Sequence, residues 1–372
     1  MPGYDREAFA AGKVIVALRR KFTYFGSPID FERADTIFHP KESDNAEGIE
    51  DVVLLHLRRK DRRAVMAAVS RLMTHPDVVY AEPDYLEEAH LIPNDPLVRY
   101  LWGMETIQAP LAWDYATGSP HVIVGVLDSG VDMNHPDLMS NLVAGRAFDL
   151  MDETGHGTHV AGTIGAVGNN RIGVAGVCWN VGLANFKIGN RVFDLAAAIA
   201  AIDYAALNRI PILNNSWGGR GYSATLRFAI KQYGGLFIAS AGNDGTNNDF
   251  APMFPASYDN ENIISVAAST PYNTLASFSN YGAGSVDIAA PGTGILSAAL
   301  NGGYSYLNGT SMAAPHVAGA AALLKSYRPG LTVPEIKEII LSSAEKHLNL
   351  SGRVAAGGVL NVNAMMELAR DA

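Results

Sequence analysis

The sequence predicts an α/β fold, a parallel sheet with helices on both faces, preceded by a small α+β unit. Three observations predict it. From about residue 95 onward, short apolar runs recur, each closed by Gly, Ser, Asn or Asp. Such runs read as strands buried on both faces. Alanine-rich helical segments lie between some of them, the alternation that builds a parallel sheet. The first 90 or so residues have a different texture, and 372 residues exceed one ordinary domain.

In chain order, "KVIVALRR" and "DVVLLHLRR" read as strands. "DRRAVMAAVSRLMTHPD" places Val65, Ala68, Val69 and Leu72 at helical spacing, and "VVYAEPDY" follows as another strand. Strand, strand, helix, strand makes one small unit over 1–90. "EEAHLIPNDPLVRY", with two prolines and no periodicity, is the linker into a second unit, 91–372. There "HVIVGVL", "ILNNSW", "GGLFIASA", "IISVAAS" and "VDIAAPG" are the strands. "LAAAIAAIDYAAL" (195–207) and "HVAGAAALLKSY" (316–327) are helices. Sites in such sheets form beyond the carboxyl ends of the strands.

Composition removes several function classes. The chain is 48% hydrophobic and 17% charged, a globular balance. Its net charge of −9 and lack of basic runs give no footprint for nucleic acid or an anionic membrane. No apolar stretch reaches the roughly 18 residues of a spanning helix. The single Cys178, in "AGVCWNVGL", forms no internal disulfide and reads as a buried structural thiol. The N-terminus carries acids where a signal peptide has a basic region, so the sequence assigns no compartment. A monomer is expected.

Three motifs carry chemistry. "VGVLDSGVD" ends a buried strand at Asp128, "TGHGTHVAG" sets His156 where a helix begins, and "GTSMAAPHVAG" sets Ser311 at the start of another. A serine hydroxyl needs a base, imidazole suits that near neutral pH, and a carboxylate fixes the imidazole's tautomer. Singly, each residue has an ordinary role: a turn cap, a loop histidine, a helix N-cap. Together, in the order Asp, His, Ser, they are not generic. An α/β-hydrolase esterase would need G-x-S-x-G with its histidine last, and "GTSMA" is no such elbow. The rival of another class is a binding protein kept inactive by a first unit that never leaves; loss of one of the three would support it, and none is missing.

These motifs resemble those of the subtilisin-like serine peptidases, the subtilases, and "SAGNDG" (240–245) resembles that family's fourth. The resemblance covers about residues 93–365. It implies a subtilisin-like parallel sheet after a ferredoxin-like pro-domain, and a serine endopeptidase acting through an acyl-enzyme on Ser311. Asp128 and His156 would complete the triad, and Asn243 would share the oxyanion hole with the Ser311 amide.

The resemblance further implies that Ser216, Trp217 and Gly218 pair with an extended polypeptide substrate. Ser240, Ala241 and Gly242 would form the opposite pocket wall, with Met253 at the floor. Such a pocket is shallow and apolar, and implies broad rather than dibasic cleavage. "VGNNRIGVAGV" (167–177) resembles a calcium loop: Asn170, the carbonyls of Val167, Ile172 and Val174, and the carboxylates of Asp95 and Asp137 would hold Ca²⁺. "FDLMDETGHGTH" lacks the acidic insert of a second site. "HPDVVYAEPDY" (75–85) resembles the tail of an inhibitory pro-region, with self-processing expected between Glu87 and Ile92, at His90–Leu91.

Overall fold

The structure is a computed structural model that describes residues 9–21, 29–41, 47–86, 91–143 and 151–371. Its contacts divide the chain into two compact units, Met1–Ala89 and His90–Ala372. Of the expected processing region between Glu87 and Ile92, residues 87–90, including His90 of the bond itself, lie outside the described residues, as do 144–150 ahead of His156.

The first unit runs β1 (Phe9–Leu18), β2 (Phe31–Phe38), β3 (Asp51–Leu57), α1 (Arg62–Leu72), β4 (Val78–Tyr85). All neighbours are antiparallel in the order β2-β3-β1-β4, a ferredoxin-like strand order. Val14 faces Leu55 and Val16 faces Val53, and these residues share one core with Val65, Ala68 and Leu72 of α1. Asp61 starts α1 by accepting the Ala64 N–H at 2.8 Å. Strand β2 escaped the sequence reading because it is a solvated edge. Arg33 and Asp35 form an ion pair there and His56 of β3 bonds Asp35, where a buried strand would carry apolar side chains.

The second unit opens with two short helices, α2 (Trp102–Thr106) and α3 (Ala109–Ala112). Then come β5 (Gly118–Asp128), α4 (His156–Gly165), β6 (Asn180–Lys187), α5 (Leu195–Leu207), β7 (Ile212–Asn215), α6 (Ala224–Tyr233), β8 (Leu236–Ser240) and β9 (Ile263–Ser269). After β10 (Ile288–Pro291), the pair β11 (Ile295–Ala299) and β12 (Gly303–Leu307) makes a separate hairpin. The chain ends with α7 (Thr310–Tyr327), α8 (Val333–Ser342), β13 (Glu345–Lys346), β14 (Gly358–Val359) and α9 (Val362–Asp371).

The sheet order is β13-β14-β10-β9-β8-β7-β5-β6, parallel from β14 to β6, with β13 antiparallel at the edge. Alternate residues of each strand enter different cores. Val124, Ile212, Leu236 and Ile238 join the residues of α4 and α7, whereas Leu127, Leu213, Phe237 and Ala239 join those of α5 and α6. This two-sided burial is what the continuous apolar runs required. Adjacent β8, β7 and β5 bring Ser240, Asn215 and Asp128 to one carboxyl edge.

Helix α7 starts six residues before the expected 316, at Thr310. This is in keeping with Ser311 at a helix start, and Pro315 lies inside the first turns. Proline has no N–H for the Ser311 carbonyl four residues back, and the Ser216 hydroxyl donates to that carbonyl instead, at 2.9 Å.

Candidate active site

Asp128, the last residue of β5, is fully buried. Its Oδ1 accepts the Ser129 N–H at 2.7 Å and bonds Nδ1 of His156 at 2.6 Å. With Nδ1 directed at the carboxylate, the imidazole's other nitrogen is left for chemistry. Burial acts to lower the His156 pKa; the Asp128 charge and hydrogen bond, with Asp152 behind them, outweigh it and hold it above the usual value.

His156 is the first residue of α4, and its position is fixed by groups the sequence reading missed. Asp152 accepts from the N–H groups of Thr154, Gly155 and Thr158 and from the hydroxyls of Thr154, Thr158 and Ser129. Burial acts to raise its pKa, but these donors hold the carboxyl below its usual range. A carboxylate at a helix N-terminus also opposes the helix dipole favourably. Ser129 in turn accepts the Gly157 N–H at 3.0 Å. A Cβ on Gly157 would stand 2.1 Å from the Gly130 carbonyl, so glycine alone lets α4 approach the end of β5 this closely. The available signal was Asp152 four residues ahead of His156 in "DETGH".

Ser311 is the second residue of α7. Its hydroxyl donates to the Ser216 carbonyl at 3.0 Å, so in this structure the serine is turned to that carbonyl rather than to His156. Gly309 precedes the helix at φ 153, a conformation that favours glycine. A Cβ built there would lie 3.5 Å from the Ser311 nitrogen and 3.6 Å from Asn243 Nδ2, so both donors border one small space. Asn243 is oriented by Thr310, whose N–H and hydroxyl both donate to its Oδ1, at 2.9 and 3.0 Å. The Thr310 hydroxyl also accepts the Gly242 N–H at 3.1 Å. Thr310 was not foreseen either, although it stands beside the serine in "GTS".

One cleft of about 510 Å³ is lined by His156, Ser311 and Asn243 together with Ser216, Trp217, Gly218, Ser240, Gly242 and Met253. Ala241 departs from the expectation. It is fully buried against Ala267, Val286 and Ala289, because neighbouring residues of an extended segment face opposite sides and Ser240 takes the cleft side. Asn190, Arg191 and Phe193 add a wall the sequence reading did not anticipate.

The loop expected to hold calcium gathers three of its six residues by their side chains. Asp95 and Asp137 are buried, and Asn170 bridges them through its N–H to Asp95 (3.1 Å) and its amide to Asp137 (2.8 Å). Val174 donates its N–H to Asp137 Oδ2, Ile172 to Asn170 Oδ1, and Val167 to the Asp137 carbonyl. The carboxylates thus meet N–H donors, and Asn170 presents nitrogen, not oxygen, to Asp137. Among the described residues no group of three or more His, Cys, Asp or Glu stands ready as a metal cluster. Cys178 is fully buried, its pKa pushed up to about 12 by burial, which suits a structural thiol.

A buried carboxylate bonded to an imidazole, a serine at a helix start and two amide donors beside it, all at the carboxyl edge of a parallel sheet, define a serine hydrolase type of site. The family model described as "Subtilase family" matches residues 119–361. The chain is similar to a thermophilic serine proteinase of Bacillus sp. (strain AK1), 40% identical over 76% of this chain and 71% of that protein. It is also similar to alkaline elastase YaB of Bacillus sp. (strain YaB), 38% identical over 80% and 76%. Among solved structures, a protease from Pseudoalteromonas arctica matches with a TM-score of 0.66 and 31% identity, over 74% of this chain and 99% of its own. The chain belongs to the subtilase family. It is a serine endopeptidase, a hydrolase acting on polypeptides. Among the described residues no helix is long and apolar enough to cross a membrane.

Proposed function

We propose that Ser311 is the nucleophile, His156 the general base and acid, Asp128 the residue that orients and stabilises the imidazolium, and Asn243 an oxyanion donor. The observation that carries this is the 2.6 Å bond between Asp128 and His156 in the cleft that Ser311 and Asn243 also line. A rotation about the Ser311 side chain exchanges its bond to Ser216 for one to His156. The oxygen then attacks the peptide carbonyl while its proton passes to His156. Negative charge grows on the carbonyl oxygen between the Ser311 N–H and Asn243 Nδ2. His156 returns the proton to the departing amine, leaving an acyl-enzyme. Water then attacks and loses a proton to His156, which hands it to the departing Ser311 oxygen, so the product acid leaves and both side chains are restored.

Ser216, Trp217 and Gly218 serve as the rail for an extended substrate. Met253, Trp217 and Phe193 give the cleft an apolar lining, in keeping with broad cleavage after apolar residues, and one relative bears the name elastase. Residues 1–90, nearly all within the compact unit Met1–Ala89 with its own core, act as the intramolecular inhibitor of a self-processing zymogen, cut at His90–Leu91. Intact mass over time, wild type beside Ser311→Ala, tests both parts. Splitting near residue 90 in the wild type alone supports them; two chains that stay whole and cleave no peptide overturn them.

Calcium is the implied structural ion. Asp95 and Asp137 are two buried carboxylates that accept N–H and hydroxyl donors but form no ion pair among the described residues, and burying such charge without a cation is costly. The donor set fits a hard cation once the Asn170 amide turns its oxygen inward. The ion would tie the 167–174 loop to Asp95 and Asp137, with no part in bond cleavage.

A further inference from the structure

The substrate cleft carries a charge asymmetry. Three ionisable side chains line it: His156, Arg191 and Asp244. Asp244 is already paired with Arg220 at 2.7 Å. Arg191 is exposed and forms no ion pair among the described residues, in a chain whose net charge is −9. The cleft's uncompensated permanent charge is therefore positive.

Arg191 is held by a built turn. Gly189 and Phe193 bridge its two ends, and the Asp194 N–H closes on the Ile188 carbonyl at 2.8 Å. Asn190 is anchored to Glu153, which Lys187 also binds at 2.9 Å, so the nearest carboxylate on the turn is already engaged. Phe193 stands against Trp217, ring centres 6.3 Å apart, which sets the turn beside the 216–218 segment. A peptide extended along that segment alternates its side chains, and those on one side meet this turn.

The geometry points to Arg191 as a specificity residue that selects an acidic side chain two to four residues upstream of the scissile bond. This rests on the 216–218 segment being the substrate rail. The apolar pocket at Met253 chooses the residue before the cut, and Arg191 adds a second criterion. An exposed pair is weak in absolute terms, but selection is a difference: a glutamate gains what a lysine loses.

The test is kcat/KM on internally quenched peptides that differ only in Glu, Gln or Lys at each of these positions. We expect Glu over Gln by about threefold and Glu over Lys by about tenfold at low salt, narrowing as salt rises. Arg191→Ala should level the three rates relative to one another and Arg191→Glu should reverse their order. Equal rates for the three peptides in the wild type, or a preference that survives Arg191→Ala, overturn the proposal while the rail stands. Binding of the same peptides to Ser311→Ala separates the cases: if none is bound or cut, the rail reading fails and this proposal fails with it.

Discussion

Ser216 and Ser311 exchange two hydrogen bonds: the Ser311 hydroxyl donates to the Ser216 carbonyl at 3.0 Å, and the Ser216 hydroxyl donates to the Ser311 carbonyl at 2.9 Å. The second bond replaces the N–H that Pro315 lacks. Ser216→Ala removes it and also strips Asn214 Nδ2 of its acceptor at 2.9 Å. Leaving the buried Asn214 amide unpaired costs about 1–3 kcal/mol, and the part-buried Ser311 carbonyl adds to it. Urea unfolding in a Ser311→Ala background, which keeps the carbonyl and prevents self-digestion, should show that loss. An unchanged midpoint would mean water serves Ser311 equally well.

Thr310 directs its amide and its hydroxyl at one atom, Asn243 Oδ1, which leaves Nδ2 to face the space beside the Ser311 nitrogen. Asn243→Ala should lower kcat by about 10²–10³ with little change in KM, the magnitude known for the corresponding donor of subtilisin. Thr310→Val keeps the shape and one of the two bonds, so its loss should be smaller and again confined to kcat. A rise in KM at constant kcat would show that Asn243 binds ground-state substrate instead.

The Asp128 carboxylate raises His156's pKa above the ordinary 6.5, overcoming the effect of burial. The base must be neutral to accept the serine proton, so kcat/KM should climb with pH through that raised value and level off above it. Asp128→Asn removes the cause: the midpoint should move down and the plateau fall by about 10⁴. For stability the sign is opposite. A raised folded-state pKa stabilises fully below the unfolded value near 6.5, and the gain disappears as pH rises through the folded value. A midpoint that stays put in Asp128→Asn would detach the profile from this pair.

Most of this architecture was legible because the second unit buries its strands on both faces, so apolar runs such as "IISVAAS" match β9 residue for residue. The helix at 195–207 was equally plain, closed on its N-terminal side by Asp194. What escaped was polar. Strand β2 is held by Arg33, Asp35 and His56, and a solvated edge has no apolar period to read. The three motifs gave Asp128, His156 and Ser311, yet not Asp152 or Thr310. Those two act through hydrogen bonds to main chain and neighbours whose geometry exists only after folding. Ala241 failed for a related reason: a motif names consecutive residues, while an extended chain turns every second one away.

The calcium loop offers a separate test, read by heat rather than by activity. An ion that binds only the folded state stabilises by about 2.7 kcal/mol when present at 100 times its Kd. Thermal unfolding of Ser311→Ala should therefore shift upward with Ca²⁺ and downward with a chelator. Asp137→Asn, which removes one of the two buried carboxylates, should erase the difference. Identical unfolding in Ca²⁺ and in chelator would leave the loop held by its own N–H donors alone.

Two buried histidines set the acid limit. His159 and His316 are almost wholly enclosed, and burial lowers each pKa to about 4, beyond what the carbonyls of Ile295 and Ser305, and of Met312, restore. Unfolded, each would titrate near 6.5. The unfolded chain therefore binds two more protons between those values, and stability present above pH 6.5 drains away as pH falls toward 4. Two protons correspond to a slope of about 2.7 kcal/mol per pH unit near pH 5, with Asp152 adding in the same direction at lower pH. His316→Asn places an amide N–H where Nδ1 meets the Met312 carbonyl and should halve the slope. Should that variant not fold, proton uptake on unfolding the Ser311→Ala protein at pH 5 reports the same quantity, and uptake near zero would show that neither histidine is held neutral.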